Sequence, residues 1–540
     1  MRNQQFQFHP LLIIRTPYFP LKEKFDEDFI KNLLQKEVFL EALYLASPNV
    51  YYRCLKLLDE QINHSEESRK LLTTVAKYYN RMSSRCTPFG LFAGCSVAKW
   101  SEKETHIMFE EGKFSRSTRL DMHFLCVLSQ SIIAQKDIRQ HLLFFPNSSI
   151  YQIGDELRYT ECYYVEGQRR YKITSINACS IMLDLLEYCR QGVSYTNLCR
   201  YLYKNEISNE AAQYYLEELI SSQLIVSELE PQISGKNYFY QILDTLRNHA
   251  HKSERIQMIV GILESIDIQL KQLDYNKVNG RRGYLKTKSL LEQLNVRMDE
   301  QKLFQTDLIK HSQKCFVDQK IQQSLLKALW ILRRIPSSTS NKHQIAFIKK
   351  YKERYGEKEM PLVEVLDAES GIGYPVKNPH YISELTEGLG FSKEDTFQQN
   401  MPDSYFQRLL INKLQYAHKH DTSEIELKQD ELENIPLIET KLPPSLSILF
   451  RIVNHHQNTL FVESITGSSA VNLLGRFSLI DAQIDVIAQE IAKMEKAQNP
   501  NIIFAEIIHL PESRTGNVLL HQIFREYEIP YLAKSSQAIG

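Results

Sequence analysis

Several patterns are missing from this 540-residue chain, and each absence excludes a class of protein. No two of the nine cysteines (Cys54, Cys86, Cys95, Cys126, Cys162, Cys179, Cys189, Cys199 and Cys315) stand in a C-x-x-C pair. An odd number of cysteines in a large chain argues against a disulfide framework, and the missing C-x-x-C pairs argue against a zinc ribbon, so the sequence predicts a reducing, cytoplasmic setting. Long apolar runs are missing too. The longest near the N-terminus, Leu11-Leu-Ile-Ile14, ends at Arg15, far short of a signal peptide or a membrane span, so no membrane insertion is expected. Neither sign of charge is in excess: 65 Lys+Arg balance 65 Asp+Glu. That excludes a globally basic nucleic-acid coat and an acidic tail, while leaving room for a local basic patch.

Familiar catalytic punctuation is absent as well. Gly371-Ile-Gly373 lacks the remaining glycine and the Lys-Ser/Thr of a phosphate loop, and there is no G-x-S-x-G elbow. His418/His420 and His455/His456 lack i,i+4 spacing and a nearby carboxylate or cysteine pattern, so no metal site is expected.

What remains is a globular composition, 43% hydrophobic and 24% charged, on a chain too long for one simple core. The local patterns predict an α+β fold of several lobes, with mixed helices and antiparallel sheets. A strand over 6–20 opens a lobe spanning 1–148, mostly helical from 23 to 130 apart from a short hairpin in 100–113. Residues 149–232 follow, with β-prone runs at 149–153, 157–164 and 170–173. Helical patterns at 175–189, 194–203 and 209–222 and a strand at 224–229 complete a set that reads as a winged helix-turn-helix. Only Arg200 and Lys204 are basic in 194–209, which favours a peptide ligand or plain packing over DNA. The third segment, 233–442, reads as long helices from 237 to 332, broken by a basic loop over 277–288 and paused at 336–340. The last, 443–540, mixes strands at 447–451, 502–509 and 517–520 with a helix around 480–495.

The most informative window is Arg69 to Gly90, which carries five basic residues (Arg69, Lys70, Lys77, Arg81 and Arg85) and no acidic one. Leu71, Leu72, Val75, Tyr78, Tyr79 and Met82 recur at helical spacing, while Lys77, Arg81 and Arg85 recur every four residues. Four residues advance about 400°, so this row drifts round the helix and should carry Arg85 to the edge of the apolar face. Pro88 should stop the helix and leave Thr87 on a turn. A ladder of this kind suits phosphate or carboxylate; a solvated basic face is the simpler alternative. Asp121, in Arg119-Leu-Asp-Met122, reads as a general base or an arginine partner.

Arg85-Cys-Thr-Pro-Phe-Gly-Leu-Phe-Ala-Gly94, preceded by Arg81, resembles the signature of the lantibiotic dehydratase (class I lanthipeptide dehydratase) family. Further blocks fit in the same order: Arg15-Thr-Pro17, Arg119-Leu-Asp-Met122, Gln305-Thr-Asp-Leu308, Arg354-Tyr-Gly356, Pro361-Leu-Val-Glu-Val-Leu-Asp367, Gly371-Ile-Gly-Tyr-Pro375, Arg514-Thr-Gly-Asn517 and Tyr527-Glu-Ile-Pro-Tyr531. The resemblance implies a glutamyl-tRNA-dependent transferase that esterifies Ser and Thr of a ribosomally made precursor peptide, the first half of lanthipeptide dehydration. It needs no bound cofactor, with glutamyl-tRNA as co-substrate. It maps glutamylation onto Arg81, Arg85, Thr87, Asp121 and Asp307, tRNA contact onto Lys77, Arg81 and Arg85, leader-peptide recognition onto 149–232, and an elimination-type residue onto Arg15. Because the chain stops at Gly540, where the family continues, it reads as truncated there. Elimination would then fall to a separate protein, alongside a cyclase. The alternatives are an inactive or truncated leader-binding chain, or a related aminoacyl-tRNA-dependent ligase that does not eliminate.

Overall fold

The computed structural model describes residues 6–536, apart from residues 23, 60–65, 111, 166–167, 277, 313, 336–341, 376–404, 436–441 and 455. The pause at 336–340 and His455 therefore lie outside the described residues. Strand β1 (Leu11–Pro17) leads into four helices, the last of them Glu66–Ser84. Strands β2 (Ala93–Ser101), β3 (His106–Met108) and β4 (Phe114–Leu120) and the helix Met122–Ala134 follow. Next come β5 (Leu143–Pro146), β6 (Tyr151–Ile153), β7 (Glu156–Val165), β8 (Gln168–Asn177), the helix Ser180–Tyr188 and β9 (Val193–Ser194). The helices Tyr195–Lys204 and Asn209–Ser221 and strand β10 (Ile225–Ser227) close that stretch. Three helices, Tyr238–His249, Glu254–Tyr275 and Arg281–Glu292, precede β11 (Phe304–Lys310) and β12 (Lys314–Asp318). Towards the end stand β13 (Ser447–Asn454), β14 (Thr459–Thr466), the helix Ala482–Gln498, β15 (Ala505–Ile508) and β16 (Tyr527–Pro530).

The chain is α+β, as its patterns imply, but the pairing corrects several expectations. The central sheet runs β3-β12-β2-β11-β4 with β1 on β2, and both β11 and β12 run parallel to β2. The sheets are thus not purely antiparallel, and β15 and β16 also pair in parallel. Among the described residues no hairpin forms in 100–113, because β12 from two hundred residues downstream lies between β2 and β3. The helical reading of 237–332 missed β11 and β12. Their short apolar runs look alike as buried strand and as buried helix, and only a distant partner decides. The basic stretch after residue 277 is largely the start of the helix Arg281–Glu292. Residues 517–520 fall at a short helix, Gly516–Leu519, rather than a strand.

Strand alternation gives this sheet two faces. Cross-strand pairs Ser117↔Asp307 and Arg119↔Gln305 place Arg119 and Asp307 on one face; Arg116↔Leu308 and Leu120↔Phe304 lie on the other. The second face packs into the main core with the helices of the first and third segments. On the first, Cys95 and Ile309 meet Phe477 and Ile484 from the C-terminal lobe. The two acids singled out by sequence, Asp121 and Asp307, sit where this lobe closes on the sheet.

Candidate functional site

The Glu66–Ser84 helix forms as its stripe demands: Leu71, Leu72, Val75, Tyr79 and Met82 are buried, and Tyr78 is half-buried. Its basic row departs from expectation. Lys77 is exposed, Arg81 is half-buried with its guanidinium 4.6 Å from the Phe89 ring centroid, and Arg85 is exposed. The helix ends at Ser84, so Arg85 leaves the rotation that would have carried it inward, and Arg81 becomes the sheltered member. Burial, then the neighbouring Arg85 guanidinium, pulls the Arg81 pKa down. Thr87 is exposed in the bend before buried Pro88. The motif's last glycine has a steric reason. A Cβ on Gly94 would lie 2.6 Å from the Leu308 carbonyl oxygen, so only glycine lets β2 meet β11 this closely.

Asp307 sits on β11 and is 1% exposed. Its Oδ2 lies 2.8 Å from Arg119 Nη1, and its Oδ1 accepts from Arg476 Nε at 3.1 Å and Nη2 at 2.5 Å. Arg476 also donates from Nη1 to the Pro88 carbonyl at 3.4 Å, which ties the Thr87–Pro88 bend to the acid. Arg119 donates from Nη2 to the Asn517 carbonyl at 2.9 Å, and Asn517 Oδ1 accepts from Met122 N at 2.9 Å. The segment comes this near because residue 516 is glycine: a Cβ there would stand 2.6 Å from Met122 Cγ.

Asp121 is fully buried and caps the Met122–Ala134 helix by accepting from His123 N at 2.8 Å. Its other oxygen accepts from Arg514 Nε at 3.2 Å. Of the two readings left open for Asp121, the geometry supplies an arginine partner. Arg15, on β1 opposite Cys95, lies 5.9 Å from the Phe477 ring centroid, and Arg476 lies 5.4 Å from the same ring. Burial, against the Arg15 charge, pushes the Cys95 thiol up to about 12, so it is a protonated packing group and no nucleophile.

Arg15, Asp121 and Asp307 are therefore gathered on one face of the sheet. No hydrogen bond or ion pair joins Lys77, Arg81, Arg85 or Thr87 directly to Asp121 or Asp307 among the described residues. The link runs through Pro88 and Arg476. Asp121 and Asp307 meet three arginines, Arg119, Arg476 and Arg514, and Arg15 shares the Phe477 ring with Arg476, which leaves the region positive and suited to an anionic substrate. Sequence reasoning missed Arg476. Its signal was a lone charge inside the apolar run Leu473 to Ile480, where an arginine needs a partner to be buried.

Other blocks have structural work. Arg354 donates to the carbonyls of Gly371 at 2.6 Å and Ser370 at 2.7 Å. Asp367 accepts from Tyr151 Oη at 2.5 Å and Arg158 Nη1 at 3.1 Å, fastening its segment to β6 and β7. Among the described residues no group of three or more His, Cys, Asp or Glu side chains is placed to hold a metal. No described helix is long and apolar enough to cross a membrane.

A family model described as lantibiotic dehydratase, N terminus, matches residues 35–539. The subtilin biosynthesis protein SpaB of Bacillus subtilis is 24% identical over 543 residues, covering 97% of this chain and 51% of that protein. Among solved structures, the tRNA-dependent lantibiotic dehydratase MibB from Microbispora matches with a TM-score of 0.78 at 17% identity, covering 98% of this chain and 51% of that one. The glutamylation domain of TbtB, from thiomuracin biosynthesis, matches with a TM-score of 0.54 at 15% identity, covering 85% and 56%. At such identities these two likenesses speak for the fold. The chain spans about half the length of the curated relatives it matches. With nearly the whole sequence under one family model, and the arginine-clamped acids where the motif blocks converge, the chain belongs to the lantibiotic dehydratase family.

Proposed function

We propose that this chain transfers glutamate from glutamyl-tRNA to Ser and Thr side chains of a ribosomally made precursor peptide. The observation that carries the reading is Asp307 held between Arg119 and Arg476, with Arg476 also gripping the Pro88 carbonyl beside Thr87. In the reaction the peptide hydroxyl oxygen attacks the ester carbonyl of the aminoacyl end. The ribose oxygen of the tRNA leaves and takes up a proton, and an O-glutamyl ester remains on the peptide. The ester is already activated, so the chain's residues bind, orient and stabilise charge.

Arg81 and Arg85, with Lys77 above them, grip phosphate, and Thr87 hydrogen-bonds the acceptor end. Asp307 fixes the forks of Arg119 and Arg476 towards developing negative charge. Asp121 orients Arg514; an Asp121→Asn variant with wild-type kinetics would leave it no part as a base. Residues 149–232, as a winged helix-turn-helix, hold the leader peptide. Arg15 belongs to the elimination chemistry, which a separate protein supplies, with a cyclase acting afterwards.

The test is the intact mass of a precursor peptide after incubation with this protein and glutamyl-tRNA. Gain of whole glutamyl units is expected; binding of the peptide with no mass change would reduce the chain to a leader-binding protein. Alanine at Arg81 and Arg85 should abolish transfer and leave leader binding intact. Each lost phosphate contact should also lower the salt-dependence slope of tRNA binding by about 0.7–0.9.

A further inference from the structure

The basic stretch after residue 277 has no part in the site above, yet it borders a cavity of about 640 Å³. The cavity is lined by Gln269, Gln272, Asn276, Arg281, Arg282 and Lys286 among others, with no acidic residue in its wall. None of the three cations forms an ion pair with a carboxylate among the described residues. Arg281 is backed by the Tyr52 ring, 5.0 Å away, which holds its guanidinium in place. Arg282 and Lys286 are one helical turn apart, so their side chains rise as neighbours about 6 Å from each other.

A second feature is next in sequence to the cavity-lining Asn276. Tyr275 is 90% exposed, an unusual setting for a ring of that size. Cations that track a backbone, next to an aromatic ring open to stacking, form the pairing by which proteins hold RNA.

The loop is built to keep its shape. Arg116 and Glu41, each 1% exposed and 2.5 Å apart, sit beneath it. Glu41 accepts from Asn279 N at 2.9 Å, and Arg116 donates to the Asn276 carbonyl at 3.1 Å. Arg116 belongs to β4, the edge strand of the sheet, whose far end carries Arg119 and leads into Asp121. Five residues of strand span about 17 Å. A folded RNA lying on the loop can therefore reach along the β4 side of the sheet to the arginine-clamped acids.

We propose that the pocket formed by Arg281, Arg282 and Lys286, with Tyr275 at its rim, is a second binding site for the phosphodiester backbone and an unstacked base of the RNA co-substrate, away from its aminoacyl end. This rests on the proposed use of aminoacyl-tRNA and adds where the body of that RNA is held. Uncharged tRNA is the probe, titrated onto the full chain over a range of salt concentrations. Arg281→Glu/Arg282→Glu/Lys286→Glu should weaken binding more than tenfold near 0.1 M salt and flatten the salt slope by about two to three. Tyr275→Ala should weaken it about fivefold or more with an unchanged slope.

The milder Arg281→Gln/Arg282→Gln/Lys286→Gln variant guards against misfolding, and leader-peptide affinity serves as the control for an intact chain. Wild-type tRNA affinity and slope in the glutamine variant overturn the proposal. So does an equal loss of affinity for polyglutamate, which would make the pocket a general anion seat. Transfer is assayed separately. Glutamate transfer by a charge variant that binds tRNA as wild type does would sink this site and keep the proposed function. Binding that depends on the pocket, with no transfer by the wild type, would do the reverse.

Discussion

The central sheet carries a buried acid–arginine cluster on each face, and the two differ in how completely they are satisfied. On the core face Glu41 and Arg116 are matched one to one. Glu41 takes the guanidinium at both oxygens, the Tyr284 hydroxyl at 2.6 Å and a backbone N–H, and both side chains are 1% exposed. On the opposite face one acid, Asp307, serves two arginines, which are 10% and 15% exposed, and a third, Arg15, stands close by. The first cluster is closed and neutral. The second has spare N–H donors and surplus positive charge, and it opens towards an exposed bend. Acid–arginine pairs built from the same groups thus do different work: saturation makes a strut, and excess charge makes a seat for an anion.

The comparison predicts its largest effect at the strut. Arg116→Met or Glu41→Leu alone should cost about 3–5 kcal/mol of stability, because each leaves a buried charge without its partner. The double variant should cost clearly less than the sum of the two, since neither charge is then stranded. Urea unfolding of all three decides it. A single-variant cost under about 1 kcal/mol would mean that water reaches the pair and that the two faces do not differ in kind.

The second effect should fall on activity and largely spare the fold. Arg476→Gln leaves Asp307 still paired with Arg119, so the stability loss should stay within about 1–2 kcal/mol. Glutamyl transfer should fall about ten- to a hundredfold, the equivalent of one charge-assisted contact. Arg476→Lys should not restore it, because a point charge cannot span both Asp307 and the Pro88 carbonyl as the planar fork does. A variant that loses stability and keeps its rate would turn the open cluster into a second strut.

How much of this was legible beforehand varied by kind of signal. The Glu66–Ser84 helix, its stop before Pro88 and the helices and strands of 149–232 follow from local rules of spacing and turn chemistry, and they stand close to where those rules put them. The sheet did not follow. β11 and β12 are seven- and five-residue runs whose identity depends on pairing with β2, about two hundred residues away, and no local pattern encodes that register. The inward drift assigned to Arg85 failed for a related reason: helical periodicity was extended one residue past the helix. The motif blocks singled out Asp307, Asp121 and Arg15, and the fold gives both acids arginine partners. Arg476 was silent because a lone arginine in an apolar run announces burial without naming its partner.

A last, smaller effect concerns the edge that joins the two faces. Asp274 accepts from the outward N–H of Thr118 on β4 at 2.7 Å, filling a place that an edge strand would otherwise leave open. Burial raises its carboxyl to about 6, against the hydrogen bond from Thr118, which lowers it. A carboxyl held above its unfolded value binds a proton more readily when folded, so this group costs stability as pH rises from about 4 to about 6 and stays at full cost above. Asp274→Asn removes that dependence and keeps an oxygen for Thr118. The stability of the variant relative to wild type should therefore be about 1–2 kcal/mol more favourable at pH 8 than at pH 4, after allowance for solvent screening. Urea midpoints of both proteins across that range measure the difference, in which every other titrating group cancels. A flat difference would show that the carboxyl titrates as it does in water, and that the β4 edge beneath the proposed RNA pocket is wetter than its burial implies.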